Sequence, residues 1–300
     1  MRIVFLGTPP EAATALRALH DAGHDVALVV TQPDRRRGRG AEVGPSPVKE
    51  MATALDLPVV TPDRAAEIVD DLAATGAALG VVVAFGQLLP PPVLDALRGG
   101  YVNVHYSLLP RWRGAAPVER AILAGDQETG VCLMKLEEGL DTGPLYAVEK
   151  VAIAEHETAG ELRHRLADVG ARLLVSELEG IPDAEPSPQV GEETYAKKLT
   201  PAEFELDWTR PARDLALVVR AGNPHPGAWT SVAGRRLKVL RAHDAGAVPQ
   251  GAVAGELLEG PLVATGDGSL MLEEVQPEGK RPIDGVAWYR GLRDVHSVGG

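Results

Sequence analysis

Two rhythms of apolar residues divide this chain. In the first half, short and nearly continuous apolar runs rich in β-branched side chains alternate with stretches of helical spacing. Arg2–Leu6 and Asp25–Val30 are runs of the first kind, and between them Glu11–Ala22 repeats Ala and Leu at helical spacing up to a stop at Gly23. The same alternation predicts helices over Pro47–Leu55, Arg64–Ala74, Pro92–Arg98 and Val118–Ala124. It predicts strands over Pro58–Val60, Ala78–Ala84, Tyr101–His105 and Val131–Leu136. Strands with no polar face are covered on both sides, so the expected fold is α/β, with a mostly parallel, Rossmann-like sheet between helical layers. Leu145–Ile153 predicts an antiparallel strand after a Gly-Leu-Asp-Thr-Gly-Pro turn, and Thr158–Glu179 a long amphipathic helix. Thr158 and Glu161 have the spacing of a capping box at its start.

The second rhythm is shorter. Ile181-Pro-Asp-Ala-Glu-Pro-Ser-Pro188 stops the long helix and predicts an extended linker. Leu215–Ala221 reads as a helix and Asn223-Pro-His-Pro-Gly-Ala228 as a rigid turn. Strands are then expected at Ala228–Val232, Arg236–Ala242, Gly255–Glu259, Leu262–Thr265 and Leu270–Val275, with Gly266-Asp-Gly268 as a hairpin turn. That pattern predicts a small C-terminal OB-like β-barrel, a type that often binds nucleic acid. A chain of 300 residues exceeds the usual single-core size. The expected division is a catalytic domain over 1–189, a linker over 190–206 and the barrel over 207–300.

Composition narrows the class. With 45% apolar and 24% charged residues the chain is ordinary globular protein. Its first apolar run is too short for a signal peptide and no later one reaches membrane-spanning length, so a cytoplasmic protein without membrane contact is expected; a monomer is expected as well. Cys132 is the sole cysteine, which excludes an internal disulfide, and the eight histidines lack ligand spacing; no metal is expected. Gly7-Thr8-Pro9-Pro10 stands where a dinucleotide fold has its glycine loop. Its prolines remove N–H groups that a pyrophosphate needs, so NAD(P) is not expected. A net charge of −12 argues against a generic nucleic-acid binder, so any such contact must come from local patches. Arg35-Arg-Arg-Gly-Arg39, Arg111 with Arg113, and Arg235-Arg-Leu-Lys238 supply them.

Asn103-Val-His105 at a strand end, with Asp141 in a distant turn, is the candidate chemistry. Singly these are ordinary residues: Asn and Asp form turns, and a lone His is most often structural. Together they supply a fixed amide donor, an imidazole and a carboxylate, which is what acyl transfer onto an amine requires. On a strand, residues two apart share a face, so Asn103 and His105 should point into one cleft.

The stretch from Tyr101 to Pro117 resembles the formyltransferases that use 10-formyltetrahydrofolate, and within them those acting on initiator methionyl-tRNA. Gly7-Thr-Pro, Thr31-Gln-Pro-Asp-Arg35, Arg37-Gly-Arg-Gly40, Pro45-Ser-Pro-Val-Lys49, Val81-Val-Val-Ala-Phe-Gly86, Tyr195–Trp208 and Gln276–Pro282 extend the resemblance over essentially the whole length. It implies transfer of the formyl group to the α-amine of initiator methionyl-tRNA. Asn103 would be the oxyanion donor, His105 a second donor or proton shuttle, and Asp141 its orienting and relaying carboxylate. Phe85, Gly86 and Gln87 would hold the pterin ring of the folate. Ser107, Leu108, Leu109 and Pro110 would line the folate site, with Ser107 as a polar anchor. Arg37, Arg39, Arg111, Arg113 and Arg235 would contact tRNA, Arg39 reading the weak terminal pair of the initiator acceptor stem. Three departures stand out: Tyr106 where a small residue or Pro is usual, His225 where Trp is common, and Ala/Glu after Gly40 where relatives are more basic. Tyr106 is expected to alter the cleft wall. A 10-formyltetrahydrofolate hydrolase and a sugar-amine formyltransferase would share the Asn/His/Asp set; a non-catalytic tRNA-binding protein would not need it.

Overall fold

The computed structural model describes residues 1–37, 42–293 and 295–299, with backbone alone at 36, 37 and 42. Residues 1–114, 128–152 and 163–195 form one compact unit; residues 115–127, 153–162 and 196–300 form the other. The two short segments at 115–127 and 153–162 thus belong with the C-terminal part, which a division by position along the chain does not anticipate.

In chain order the first elements are β1 Arg2–Gly7, α1 Pro10–Asp21, β2 Asp25–Val30, β3 Arg35–Arg37, β4 Glu42–Gly44, α2 Pro47–Ala54, β5 Val59–Val60, α3 Val69–Thr75, β6 Leu79–Val83, α4 Pro91–Leu94 and β7 Tyr101–His105. Then come β8 Arg113–Gly114, α5 Pro117–Leu123, β9 Glu128–Lys135, β10 Leu145–Ala152 and α6 Ala159–Glu177. The central sheet has the order β10-β9-β7-β6-β1-β2-β5. Strands β1, β2, β5, β6 and β7 run parallel, whereas β9 is antiparallel to both β7 and β10. The parallel strands carry their C-terminal ends to one edge, where open α/β sheets bind ligands.

Local sequence explains the elements that hold this edge. Helix α1 starts with Pro10 at its first position and Glu11 in its first turn, both suited to a helix N-terminus. It buries Ala12, Ala15, Leu16 and Leu19, a helical stripe. Under the other side, Val4, Leu6, Val30, Val82, Phe85 and Tyr101 pack with Ile68 and Leu72. The capping box is present: Thr158 Oγ1 accepts from Glu161 N at 3.3 Å, and Thr158 N donates to Glu161 Oε2 at 2.9 Å.

Two expected helices change. The helix expected over Arg64–Ala74 is a 3-10 turn, Ala65–Ile68, followed by α3, which ends at left-handed Gly76. Only one helical turn, α4, replaces Pro92–Arg98. The arginine run begins as a strand, with Arg35–Arg37 paired antiparallel to Glu42–Gly44; Gly38, Arg39 and Gly40 lie outside the described residues.

The second unit contains, after β11 Tyr195–Ala196, helix α7 Ala212–Gly222, β12 Ala228–Val232, β13 Arg235–Asp244, β14 Leu262–Ala264, β15 Ser269–Pro277, β16 Ile283–Asp284 and α8 Gly285–Arg290. Its sheet is antiparallel, ordered β12-β13-β15-β14 with β16 on β15. Gly255–Glu259 is not a strand; Glu256 and Leu257 make only isolated bridges to Ser297 and Val263. The Gly266–Gly268 hairpin turn forms as expected, closed by Thr265 N donating to Gly268 O at 3.0 Å. Trp208 Nε1 donates to Thr230 Oγ1 at 2.9 Å inside this unit. His225 is exposed, so the departure there opens no hole in the core. No described helix is long and apolar enough to cross a membrane.

Candidate active site

Strand β7 delivers two polar side chains to one face. Asn103 lies opposite Met134 of β9, and His105 opposite Cys132. Directly paired residues share a face, so both sit beside the small apolar cluster of Leu109, Cys132 and Met134. Asn103 is 9% exposed and His105 6%. Among the described residues the Asn103 side-chain amide makes no hydrogen bond, and it is not among the fully buried unpaired groups, Tyr106 Oη and Thr129 Oγ1, so it opens to the cleft. Its two N–H donors are therefore uncommitted within the fold.

The imidazole is held on one side only. His105 Nε2 lies 3.0 Å from the Trp112 carbonyl oxygen. A carbonyl only accepts, so this contact places a proton on Nε2 and leaves Nδ1 to face the site. There Nδ1 meets Asp141 Oδ2 at 3.7 Å, longer than a hydrogen bond. The same Oδ2 accepts from Gly114 N at 2.8 Å. Asp141 arrives on the loop between β9 and β10, whose exposed residues Glu137–Leu140 precede it. Both Trp112 (φ +63°) and Asp141 (φ +51°) occupy the left-handed region, which costs roughly 1–3 kcal/mol each and clusters at functional sites. Gly143 allows the return: a Cβ there would lie 1.8 Å from the Lys135 carbonyl oxygen.

Several expected contacts are assigned differently. Tyr106 does not reach the Asn103/His105 cleft. Side chains alternate along the strand, and its ring packs against Gly170 of α6, where an added Cβ would come 3.3 Å from Tyr106 Cε1. Burial raises its phenol pKa above the usual value. Ser107 is fully buried and its hydroxyl donates to the Arg111 carbonyl at 2.6 Å, so it fastens the loop after β7 rather than presenting a free anchor. The Gln87 amide is likewise engaged, accepting from Ala65 N at 2.7 Å and donating to Asp63 O at 3.3 Å. Arg113 is turned inward, its guanidinium bonded to Gln189 Oε1 and paired with Glu193. Arg111 stacks on Trp112, 4.5 Å from the ring centre. Arg235 is exposed on β13, and its neighbour Arg236 lies 4.2 Å above the Trp229 ring. Arg37 stands on β3, its side chain outside the description. Leu109 and Pro110 are buried and Leu108 half-buried.

The turn after β6 has the character expected of a ligand-facing edge. The Phe85 carbonyl accepts from Thr8 Oγ1 at 2.9 Å and from Gln32 Nε2 at 3.2 Å, tying three sheet-edge loops together. Gly86, at φ +84°, and Leu88 are exposed, and among the described residues the backbone groups of 86–88 form no hydrogen bond. The Cys132 thiol is pushed up to about 11 by burial, which rules it out as a nucleophile near neutral pH. Among the described residues no group of three or more His, Cys, Asp or Glu side chains is placed to hold a metal.

An uncommitted amide, an imidazole with one nitrogen open and a carboxylate facing it fit acyl transfer, and the sequence comparisons decide the family. Residues 1–178 match the model for formyl transferase, and residues 198–293 that for the formyl transferase C-terminal domain. The chain belongs to the formyl transferase family. It is 48% identical over 295 residues to the methionyl-tRNA formyltransferase of Cereibacter sphaeroides, covering 97% of this chain and 96% of that one. With the Symbiobacterium thermophilum methionyl-tRNA formyltransferase the identity is 48% over 301 residues, covering 97% and 92%. Among solved structures, HypX from Aquifex aeolicus in complex with tetrahydrofolic acid superposes with a TM-score of 0.65 at 19% identity, over 97% of this chain and 47% of that one. At that identity the likeness speaks for the formyl transferase fold.

The sequence alone did not single out Trp112, Gly114 or Gln189. Trp112 and Gly114 act through backbone atoms, and Gln189 sits in a polar, proline-rich stretch with no periodicity.

Proposed function

We propose that this chain transfers the formyl group of 10-formyltetrahydrofolate to the α-amine of initiator methionyl-tRNA. The observation that carries the chemistry is the unpaired amide of Asn103, on a buried strand, beside His105 and Asp141. Full-length identity to proteins named methionyl-tRNA formyltransferase supports the substrate.

The amine attacks the formyl carbon, whose oxygen gains negative charge as the carbon becomes tetrahedral. Asn103 donates to that oxygen, and a fixed donor in a water-poor site contributes the most where charge develops. An α-amine has a pKa near ~8, so its neutral form is accessible near pH 7 and strong base is not required. The 3.7 Å gap between His105 Nδ1 and Asp141 Oδ2 holds two acceptors when the imidazole is neutral. A proton released by the amine is attracted there, and the carboxylate stabilises the imidazolium that forms. Departure of the tetrahydrofolate nitrogen requires that proton back, which makes His105 the shuttle.

The unpaired backbone edge at Gly86–Leu88 suits the donor and acceptor edge of a pterin, and Leu108 with Pro110 supplies apolar lining. Ser107 and Gln87 would act by shaping the loops. For tRNA, exposed Arg235, with Arg236 and Trp229, offers cation and aromatic surface on the C-terminal sheet, and Arg37 and Arg39 of the arginine run would add further cations. Arg111 would contribute to tRNA binding from its stack on Trp112, and Arg113 only through the loop it braces. The catalytic domain over 1–189, the linker over 190–206 and the tRNA-binding domain over 207–300 remain our functional division. The chain is taken to act as a cytoplasmic monomer, and the proposed chemistry calls for neither a metal nor NAD(P). The test is transfer of labelled formyl from 10-formyltetrahydrofolate to charged initiator tRNA; free formate without formyl-tRNA would instead indicate a hydrolase.

A further inference from the structure

Catalytic groups have to be held to within about 0.5 Å, yet the Asp141 carboxylate follows a loop of exposed residues and sits at a left-handed φ of +51°. Its side chain has one backbone anchor, Gly114 N. Its main chain has another source of order. Gln189 Nε2 donates to the carbonyl oxygens of Asp141 and Gly143, each at 2.8 Å. Gln189 Oε1 accepts from Arg113 Nε at 3.1 Å and Nη2 at 2.7 Å, while Arg113 Nη1 pairs with Glu193. Both donors and both lone pairs of this amide are used. Rotating the amide by half a turn would set its NH2 against the guanidinium and its oxygen against two carbonyls, so its orientation is fixed. Thr194 adds to the frame, its Oγ1 accepting from Trp112 N at 2.9 Å on the residue whose carbonyl holds His105. The stretch from Ser187 to Thr194, which reads as a plain linker, is docked along the first unit, beginning at the Ser187–Leu145 bridge.

Resting on the formyl-transfer reading, we infer that Gln189, braced by Arg113, is a positioning residue that sets the Asp141 carboxylate against His105. It touches neither substrate nor reacting atoms. Releasing it lets the Asp141 loop relax from its left-handed turn, and a shift of about 1 Å in such a constellation costs about 10²-fold in rate. The same geometry reassigns Arg113 from tRNA contact to the support of the catalytic loop.

Gln189→Glu is the informative substitution, because it keeps an acceptor for Arg113 but replaces both donors with an oxygen facing two carbonyls. Single-turnover formyl transfer should fall by about 10²-fold, with KM for the folate essentially unchanged. In an Asp141→Asn background the same substitution should cost nothing further, since the clamp acts only through that carboxylate. The ring 15N resonances of His105 in the Gln189→Glu protein should move toward their positions in Asp141→Asn. An unchanged rate, or the same loss in both backgrounds, overturns the proposal. If Gln189→Glu fails to fold, Arg113→Lys, which leaves Gln189 in place but removes its brace, runs through the same cycle and is judged by the same outcomes. Absence of formyl transfer by the unaltered protein would count against the function itself; the His105 resonances then decide the clamp alone.

Discussion

Replacing Asp141 by Asn removes charge and little else. The side chains are the same size, and an amide oxygen can still accept from Gly114 N, the 2.8 Å bond that anchors the carboxylate. What is lost is the attraction between a carboxylate and an imidazolium across 3.7 Å. At an effective dielectric near 20, two unit charges at that separation interact by about 4 kcal/mol. All of it, expressed in the transition state, would be a loss of about 10³-fold. The side chains are 7% and 14% exposed for His105 and Asp141, so solvent screens the pair little, and proton-transfer groups typically contribute about 10²–10⁴-fold. We expect single-turnover formyl transfer to fall by about 10²–10³-fold with an unchanged melting temperature. Single-turnover rates with labelled formyl, beside thermal unfolding of the same preparation, make the measurement. A near-normal rate would remove Asp141 from the chemistry. A large loss of stability would show that the carboxylate serves the fold instead.

Asn103→Ala should cost about 10²–10³-fold in rate through the missing oxyanion donor, and almost nothing in melting temperature, because its amide has no partner in the fold; an unaltered rate would eliminate that role. Arg39→Ala should raise KM for tRNA and narrow the preference for initiator over elongator, whereas Arg235→Ala should weaken all tRNAs alike and flatten the salt dependence, as loss of a phosphate contact does. An unchanged initiator-to-elongator ratio in Arg39→Ala would place specificity elsewhere. Glu161 titrates at about 2, below the usual 4.5: partial burial pushes it up, but the Thr158 cap and Arg241 outweigh that. Its depressed value adds stability above about pH 4.5 that fades as pH falls toward 2, so the melting temperatures of the unaltered protein and Arg241→Ala should differ near neutrality and converge in acid. A difference independent of pH would contradict the ion pair.

Apolar patterning made the sheet legible because strand burial leaves a direct trace. Asp25–Val30, Tyr101–His105 and Ala228–Val232 match the expected bounds residue for residue. Where three-dimensional context decides, the trace fails. Gly255–Glu259 has strand composition but finds only single bridges, and Pro90–Pro92 permits one helical turn where the apolar spacing suggests two. At the site, Asn103, His105 and Asp141 were visible as side-chain chemistry, and the structure brings His105 and Asp141 face to face. The parts that hold them were not visible, since Trp112 and Gly114 contribute backbone atoms and the role of Gln189 depends on where its segment docks. Arg113 and Ser107 illustrate the converse. Each has the residue type for a ligand contact, and each is already occupied within the fold.

The most direct test of the central claim is formyl transfer itself, with purified protein, labelled 10-formyltetrahydrofolate, and charged initiator or charged elongator methionine tRNA. We expect label on the methionyl amine of the initiator tRNA, little on the elongator, and loss of activity in Asp141→Asn. Equal transfer to both tRNAs, transfer to a sugar amine in preference to either, or release of formate alone would contradict it.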